Sequence, residues 1–364
     1  MDSFLYTNSV AASWTCPAVS NDIVHSFHRS LPDYSETRLH SLPDLATDLG
    51  VAHVVIKDES TRFGLPAFKI TGASWAVYRA VCEATSLPLN VSLEVLGRAA
   101  NDRGIRMVAC TEGNWGQAVA QMARYLSIPA TIFVPRFMST ATQATIEGEG
   151  AQVIKIEGDY DESVKRAERE AKENDALLCM DTAWPGYEKI PAWVVQGYAT
   201  ILSETDAQLE QLVGRPATHA FAPVGVGSWG HAVTVHYKSK TEGQRALVVA
   251  VEPDTAACLK TSLKKGMITS IETGESIMAG MNCGTVSLMA WPALRDGADA
   301  VVTVTDVEAH RAVEYLHSRQ VIAGPCGAST VAAFRKISNQ LGLGRESVVV
   351  LFSTEGSREY KIPE

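Results

Sequence analysis

The 364-residue sequence holds no apolar run approaching the roughly 18 residues that a membrane span needs, so no membrane partner is expected. Its first fourteen residues lack a basic stretch followed by an apolar core, and they do not read as a signal peptide. Positive charge is not in excess. A net charge of −9 argues against a polyanion-binding surface, and no nucleic acid is expected as a partner. The seven cysteines are odd in number and scattered without CxxC or Cys/His ligand spacing, which speaks against a disulfide scaffold and against a metal site. A reducing, cytoplasmic setting follows as the expectation. With Gly 27 and Pro 15 there is no low-complexity bias either.

What remains is an ordinary globular composition, 46% hydrophobic and 20% charged, in a chain long enough for two packed lobes. Short β-branched runs at 53–57, 106–110, 130–134, 152–156, 177–180, 219–223, 246–252, 300–305 and 347–352 read as strands. Helix-length segments alternate with them. Trp115, Ala118, Val119, Met122, Ala123 and Leu126 recur at helical spacing, and 159–174 reads as a charged surface helix with a thin stripe of Val164, Ala167 and Ala171. Strands apolar on both faces in a βαβα rhythm predict an α/β fold, each lobe a mostly parallel twisted sheet flanked by helices. A helix at 203–216 that ends in Gly214 and Pro216 reads as a hinge between the lobes.

The run Gly225-Val226-Gly227-Ser228-Trp229-Gly230 follows a strand and precedes a helix predicted at 231–240. Amides in such a turn, with the positive end of the helix, cradle phosphate oxygens. The letters also satisfy GxGxxG, and Glu252 stands where a dinucleotide-binding protein places its ribose acid, so an NAD(P)-dependent oxidoreductase is one reading. A tight strand-to-helix turn without ligand is the bland one. A nucleoside-triphosphate P-loop is not supported, since no Lys-Ser or Lys-Thr follows the glycines.

A second segment decides between them. In the run from Lys57-Asp58-Glu59-Ser60-Thr61-Arg62-Phe63-Gly64 through Leu65-Pro66-Ala67-Phe68-Lys69 to Ile70-Thr71-Gly72-Ala73, one lysine sits where a polar loop meets a helix start of small residues. A lysine that attacks a carbonyl needs neighbours that keep it neutral part of the time and room for a planar ring; otherwise a lysine at a helix start is a solvated surface residue. The segment resembles the lysine loop of the fold-type II pyridoxal-phosphate enzymes, the tryptophan synthase β-like group that includes serine and threonine dehydratases. Among them it is most similar to the diaminopropionate ammonia-lyases. The resemblance extends in order through Thr111-Glu112-Gly113-Asn114-Trp115-Gly116, Asp181-Thr182-Ala183-Trp184-Pro185-Gly186-Tyr187-Glu188-Lys189-Ile190-Pro191, the glycine loop, and Ile277-Met278-Ala279-Gly280-Met281-Asn282-Cys283-Gly284.

The resemblance implies a division into residues 1–70 and 210–364 as a large cofactor-binding lobe and 71–209 as a small one, with pyridoxal 5'-phosphate between them and a homodimeric assembly. It implies that Lys69 bonds to the cofactor, that Gly225, Val226, Gly227, Ser228, Trp229 and Gly230 hold its phosphate, and that Asn114 meets the ring's phenolic oxygen. The bland role for Asn114 is a helix N-cap. Cys326, in Gly324-Pro325-Cys326-Gly327-Ala328-Ser329, resembles the residue facing the pyridine nitrogen, with Ser353 and Thr354 as alternatives. A thiol there cannot keep that nitrogen protonated as a carboxylate would, which favours elimination over transamination; a small buried residue is the bland reading.

Asp181 matches a catalytic aspartate, and Glu112 stands where that group has a second one. Trp115 replaces its histidine, and Ser357-Arg358-Glu359 departs from its usual polar continuation. The implied reaction is α,β-elimination from 2,3-diaminopropionate or a similar small β-substituted amino acid, giving a 2-oxo acid and ammonia. β-Replacement on a similar amino acid is the nearest enzymatic alternative. Cys258 and Cys283 occupy positions where the ammonia-lyases also have cysteines; two reduced thiols are the expected state in cytosol.

Overall fold

Most of the apolar runs of the sequence become strands whose side chains are covered on both faces, as in the wholly buried 107–110, 219–223, 300–304 and 348–353; the strand at 152–155 is only half-covered. The computed structural model describes residues 4–18, 20–111, 113–158 and 160–364. The strands are β1 (Leu5–Thr7), β2 (Leu39–Ser41), β3 (His53–Asp58), β4 (Met107–Cys110), β5 (Ala130–Val134), β6 (Gln152–Lys155), β7 (Leu177–Leu178), β8 (His219–Pro223), β9 (Leu247–Pro253), β10 (Ala300–Val304) and β11 (Val348–Ser353). β1 and β2 escape a reading of periodicity. Each is three residues long and pairs antiparallel on a sheet edge, β1 with β10 and β2 with β3.

The chain divides into two compact units. The first comprises Met1–Asn21, Ser35–Phe68 and Tyr198–Glu364; the second comprises Asp22–Tyr34 and Lys69–Gly197. A sheet in the order β1-β10-β9-β8-β11-β3-β2 forms the first, parallel throughout except at its edges. Alternation along the strands sends side chains to two cores. Val249, Val251, Val302 and Val304 meet Val331 and Phe334 of the helix Pro325–Lys336 on one face, whereas Ala250 and Val301 meet Trp291 and Leu294 of the helix Trp291–Gly297 on the other.

The second unit has a parallel sheet in the order β6-β5-β4-β7. Its helix Lys69–Thr85 packs against the helices Asn114–Tyr125 and Lys189–Gly197. A Cβ on Gly197 would stand 2.3 Å from the Thr71 carbonyl oxygen, so only glycine lets the two backbones approach this closely. The short helix Asp22–Arg29 belongs to this unit rather than to a continuous block 1–70. Phe27 meets Trp75 and Tyr78, and His28 Nε2 lies 3.0 Å from the Thr71 carbonyl oxygen.

The helix expected at 203–216 runs over Ala199–Val213 and closes on Gly214 at φ +66°. It lies within the first unit, so its Gly and Pro mark a helix end and not the hinge expected there. The helix expected at 231–240 starts earlier, at Ser228, inside the glycine motif. In the charged helix Tyr160–Glu173, Ala167 and Ala171 are buried, as its thin stripe predicts. Asp159 lies outside the described residues. Among the described residues no helix is long and apolar enough to cross a membrane.

Candidate cofactor and active site

In parallel α/β sheets, ligands gather at the carboxyl ends of strands. Three neighbours in the first unit, β3, β11 and β8, end together there: Ser353 stands beside Asp58, and Leu351 beside Phe221. The lysine loop leaves β3, the glycine loop leaves β8, and Ser353-Thr354-Glu355 ends β11. Two main-chain bonds tie the first of these to the last, Phe68 N–H donating to the Thr354 carbonyl (3.1 Å) and Gly356 N–H to that of Pro66 (2.8 Å).

The base of the lysine loop is held by buried charges. Arg62 donates to Glu59 (2.7 Å) and to both Glu204 oxygens (2.9 and 2.7 Å), while Lys57 donates to Glu204 (3.1 Å), Gln208 (3.0 Å) and the Thr37 carbonyl (2.8 Å). Every charge in this network has an opposite partner, which buried charges require. Phe68, the last residue of the loop, is in turn wedged against Tyr198 and Trp229, with centroids 5.0 and 5.3 Å away.

Gly227 is the residue that turns β8 into the following helix. Its φ is +105°, and a Cβ would lie 2.8 Å from Leu294 Cδ1, so glycine is required twice over. It caps the helix Ser228–Lys238, and the positive end of that helix's dipole at this turn suits an anion. Ser287 N–H donates to the Val226 carbonyl (2.8 Å) and fixes the loop. Trp229 turns its side chain away into the aromatic cluster, against Tyr198, Phe352 and Phe68, so its contribution to the loop is main-chain.

Cys326 and Ser353, rival ring partners by sequence, differ in what already occupies them. Cys326 is buried; its N–H donates to Glu355 Oε1 (3.2 Å), and burial with the adjacent Glu355 carboxylate pushes its thiol well above the usual range. Ser353 is fully buried, and its Oγ has no hydrogen-bond partner among the described residues. A Cβ on Gly327 would stand 2.5 Å from that oxygen, so the glycine leaves the hydroxyl room. A buried hydroxyl without a partner costs stability unless a ligand supplies one. Thr354 is also buried, and its carbonyl is spent on Phe68.

In the second unit Lys69 opens the helix Lys69–Thr85, and its Nζ forms an ion pair with Asp181 Oδ2; the side chains are 20% and 7% exposed. The lysine is therefore no solvated surface residue. Trp115 lies beside it, with the ring centroid 5.9 Å from Nζ and the indole N–H donating to the Cys179 carbonyl (3.0 Å). Asp181 owes its position to Tyr187. The phenol donates to the Leu178 carbonyl (2.8 Å) and accepts from Met180 N–H (3.0 Å), and its ring stacks on Trp184 at 4.4 Å. In the sequence Tyr187 is one residue of a motif; its role as a clamp needs the fold. Asn114 is the first helical residue, not the cap, which is Gly113. Glu112 lies outside the described residues.

The dinucleotide reading fails at Glu252. Both its oxygens accept main-chain N–H groups, from Leu259 (2.7 Å) and Lys260 (2.9 Å), at the start of the helix Cys258–Lys265, and the side chain is fully buried. It is a helix cap, not a ribose ligand. Burial raises its pKa to about 7 from an ordinary 4.5. The folded state thus binds a proton that the unfolded state has already lost, so this contribution to stability is full below about pH 4.5 and disappears as pH rises through 7. Between pH 4.5 and 8 the loss is about 3 kcal/mol. Denaturant titrations across that range should show a flatter profile for Glu252→Gln than for the wild type.

Cys258 Sγ lies 4.0 Å from the Gly225 carbonyl oxygen, and Cys283 Sγ 3.0 Å from a Cβ built on Gly225, so both border the glycine loop.

The second unit thus holds a primary amine beside a carboxylate, suited to an aldehyde, and the first holds an anion-suited loop and a buried hydroxyl with no hydrogen-bond partner among the described residues. The sequence agrees: residues 31–355 match the model of the pyridoxal-phosphate dependent enzymes, and the chain belongs to that family. It is similar to the diaminopropionate ammonia-lyase of Salmonella typhimurium, 32% identical over 99% of this chain and 94% of that protein, and to that of Escherichia coli K12, 32% identical over 93% and 89%. The crystal structure of the Escherichia coli enzyme in complex with D-serine superposes with a TM-score of 0.90 at 30% identity, covering 97% of this chain and 93% of that one. The same enzyme with an aminoacrylate–PLP azomethine reaction intermediate gives 0.88 at 30% identity, with the same coverage.

Proposed function

We propose that this protein is a pyridoxal-phosphate-dependent ammonia-lyase. Its substrate is 2,3-diaminopropionate or a similar small β-substituted amino acid, and its products are a 2-oxo acid and ammonia. The observation that carries the proposal is the Lys69–Asp181 pair, in a chain that matches the diaminopropionate ammonia-lyases over almost its whole length.

When bound, pyridoxal phosphate supplies an electron sink for the pair left at Cα as its proton departs. Lys69 supplies the amine that holds the cofactor, and the amides of Gly225 to Gly230 bind its phosphate. Ser353 Oγ, buried and with no hydrogen-bond partner among the described residues, is the better candidate for the pyridine nitrogen than Cys326, whose main chain and thiol both engage Glu355. A hydroxyl there, like a thiol, leaves that nitrogen unprotonated and so favours loss of the β-substituent. Asn114 meets the phenolic oxygen. Asp181 orients Lys69 and takes the Cα proton, and Glu112 serves as the second carboxylate. A cytosolic homodimer belongs to the same proposal, and sedimentation measures the assembly.

From 2,3-diaminopropionate, elimination leaves 2-aminoacrylate and one ammonia, and hydrolysis of the former gives pyruvate and a second. Two ammonia per pyruvate is the expected result. A new amino acid formed on adding a thiol, without pyruvate, identifies a β-replacement synthase instead. Ser353→Ala should weaken cofactor retention about 5- to 10-fold, the worth of one buried hydrogen bond, as measured by dialysis of the holoenzyme. Cys326→Ala should leave retention closer to wild type.

A further inference from the structure

Lys69 Nζ is itself an ammonium, and where it sits describes a receptor for one. Asp181 supplies the carboxylate; Trp115, 4% exposed, presents its ring with the centroid 5.9 Å from the nitrogen. Both walls are fixed to one stretch of backbone. The indole N–H holds the Cys179 carbonyl, Tyr187 holds Leu178 and Met180 on either side of it, and Asp181 follows directly. A carboxylate and an aromatic face, rigid and largely shielded from water, attract a cation more strongly than either does in water. Once Lys69 Nζ is bonded to the cofactor, its ammonium no longer fills this place.

We propose that the Trp115 ring and the Asp181 carboxylate receive the ammonium on the β-carbon of the arriving substrate, and that Trp115 makes the enzyme selective for β-ammonium over neutral β-substituents. The inference rests on the ammonia-lyase reading and sharpens it to a substrate class. The chemistry balances. As the Cα–H bond breaks, the Asp181 carboxylate takes the proton, the electron pair becomes the Cα–Cβ double bond, and the Cβ–N bond breaks with its pair going to nitrogen. A β-amine kept as an ammonium therefore leaves directly as ammonia. Hydroxyl and chloride substituents gain nothing from the ring.

The test compares wild-type, Trp115→Phe and Trp115→Leu holoenzymes on 2,3-diaminopropionate and on 3-chloroalanine, a neutral counterpart. Trp115→Leu should lose kcat/KM on the diamine about 5- to 30-fold more than on 3-chloroalanine, mainly through KM, and Trp115→Phe should recover most of the difference. A parallel calorimetric titration with 3-aminopropanoate and propanoate needs no turnover. The wild type should prefer the ammonium-bearing acid, and Trp115→Leu should reduce that preference by a similar factor. Equal losses on both substrates, or an unchanged preference in calorimetry, overturn the proposal. If the wild type turns over neither amino acid, the ammonia-lyase reading falls, and the calorimetric pair still decides whether the receptor exists.

Discussion

Lys69→Ala should yield a folded protein that binds pyridoxal phosphate weakly, shows no visible imine band, and eliminates ammonia at least about 1000-fold more slowly than wild type. The expectation follows from position. Lys69 begins its helix next to Phe68, which aromatic packing against Tyr198 and Trp229 and a bond to the Thr354 carbonyl hold in place. An amine delivered from solution lacks that orientation, so added methylamine should restore only a small part of the rate. Circular dichroism separates this result from misfolding. A variant that keeps both band and rate would mean that another lysine carries the cofactor.

Asp181→Asn should retain the cofactor but lower kcat by roughly 100- to 10,000-fold, the usual worth of a positioned proton-transfer group. The substitution keeps shape and hydrogen-bonding capacity while removing the charge that pairs with Lys69 and the site that accepts a proton. An increase confined to KM would reduce Asp181 to a binding residue and shift the proton transfers to Lys69 and Glu112.

Much of this could be read before the fold was known, for identifiable reasons. Strands such as β9 and β11 are buried along nearly their whole length, so their sequences are continuous apolar runs. β1 and β2 are not legible, because three residues carry no period and are set by the strands they flank. The misplaced hinge has a similar origin. Gly214 and Pro216 report a helix end, a local event, while the glycine at the unit boundary, Gly197, lies within a helical run and serves close packing against Thr71, so it does not read as a hinge.

The site divides in the same way. Lys69, Asp181 and the glycine loop stand in motifs because each needs particular neighbours in the chain. The proposed preference for Ser353 over Cys326 rests on which polar atom already has a partner, and at Cys326 that partner is Glu355, distant in sequence. Glu252 misleads for the complementary reason: its spacing from the glycines matches a nucleotide ligand, yet the helix that follows takes both of its oxygens.

The central claim is a covalent one and admits a direct measurement. Borohydride reduction of the purified holoprotein, followed by peptide mass spectrometry, should find a phosphopyridoxyl group on the Lys69 side chain and on no other lysine. Lys69 unmodified, with the label elsewhere or absent, would contradict the account.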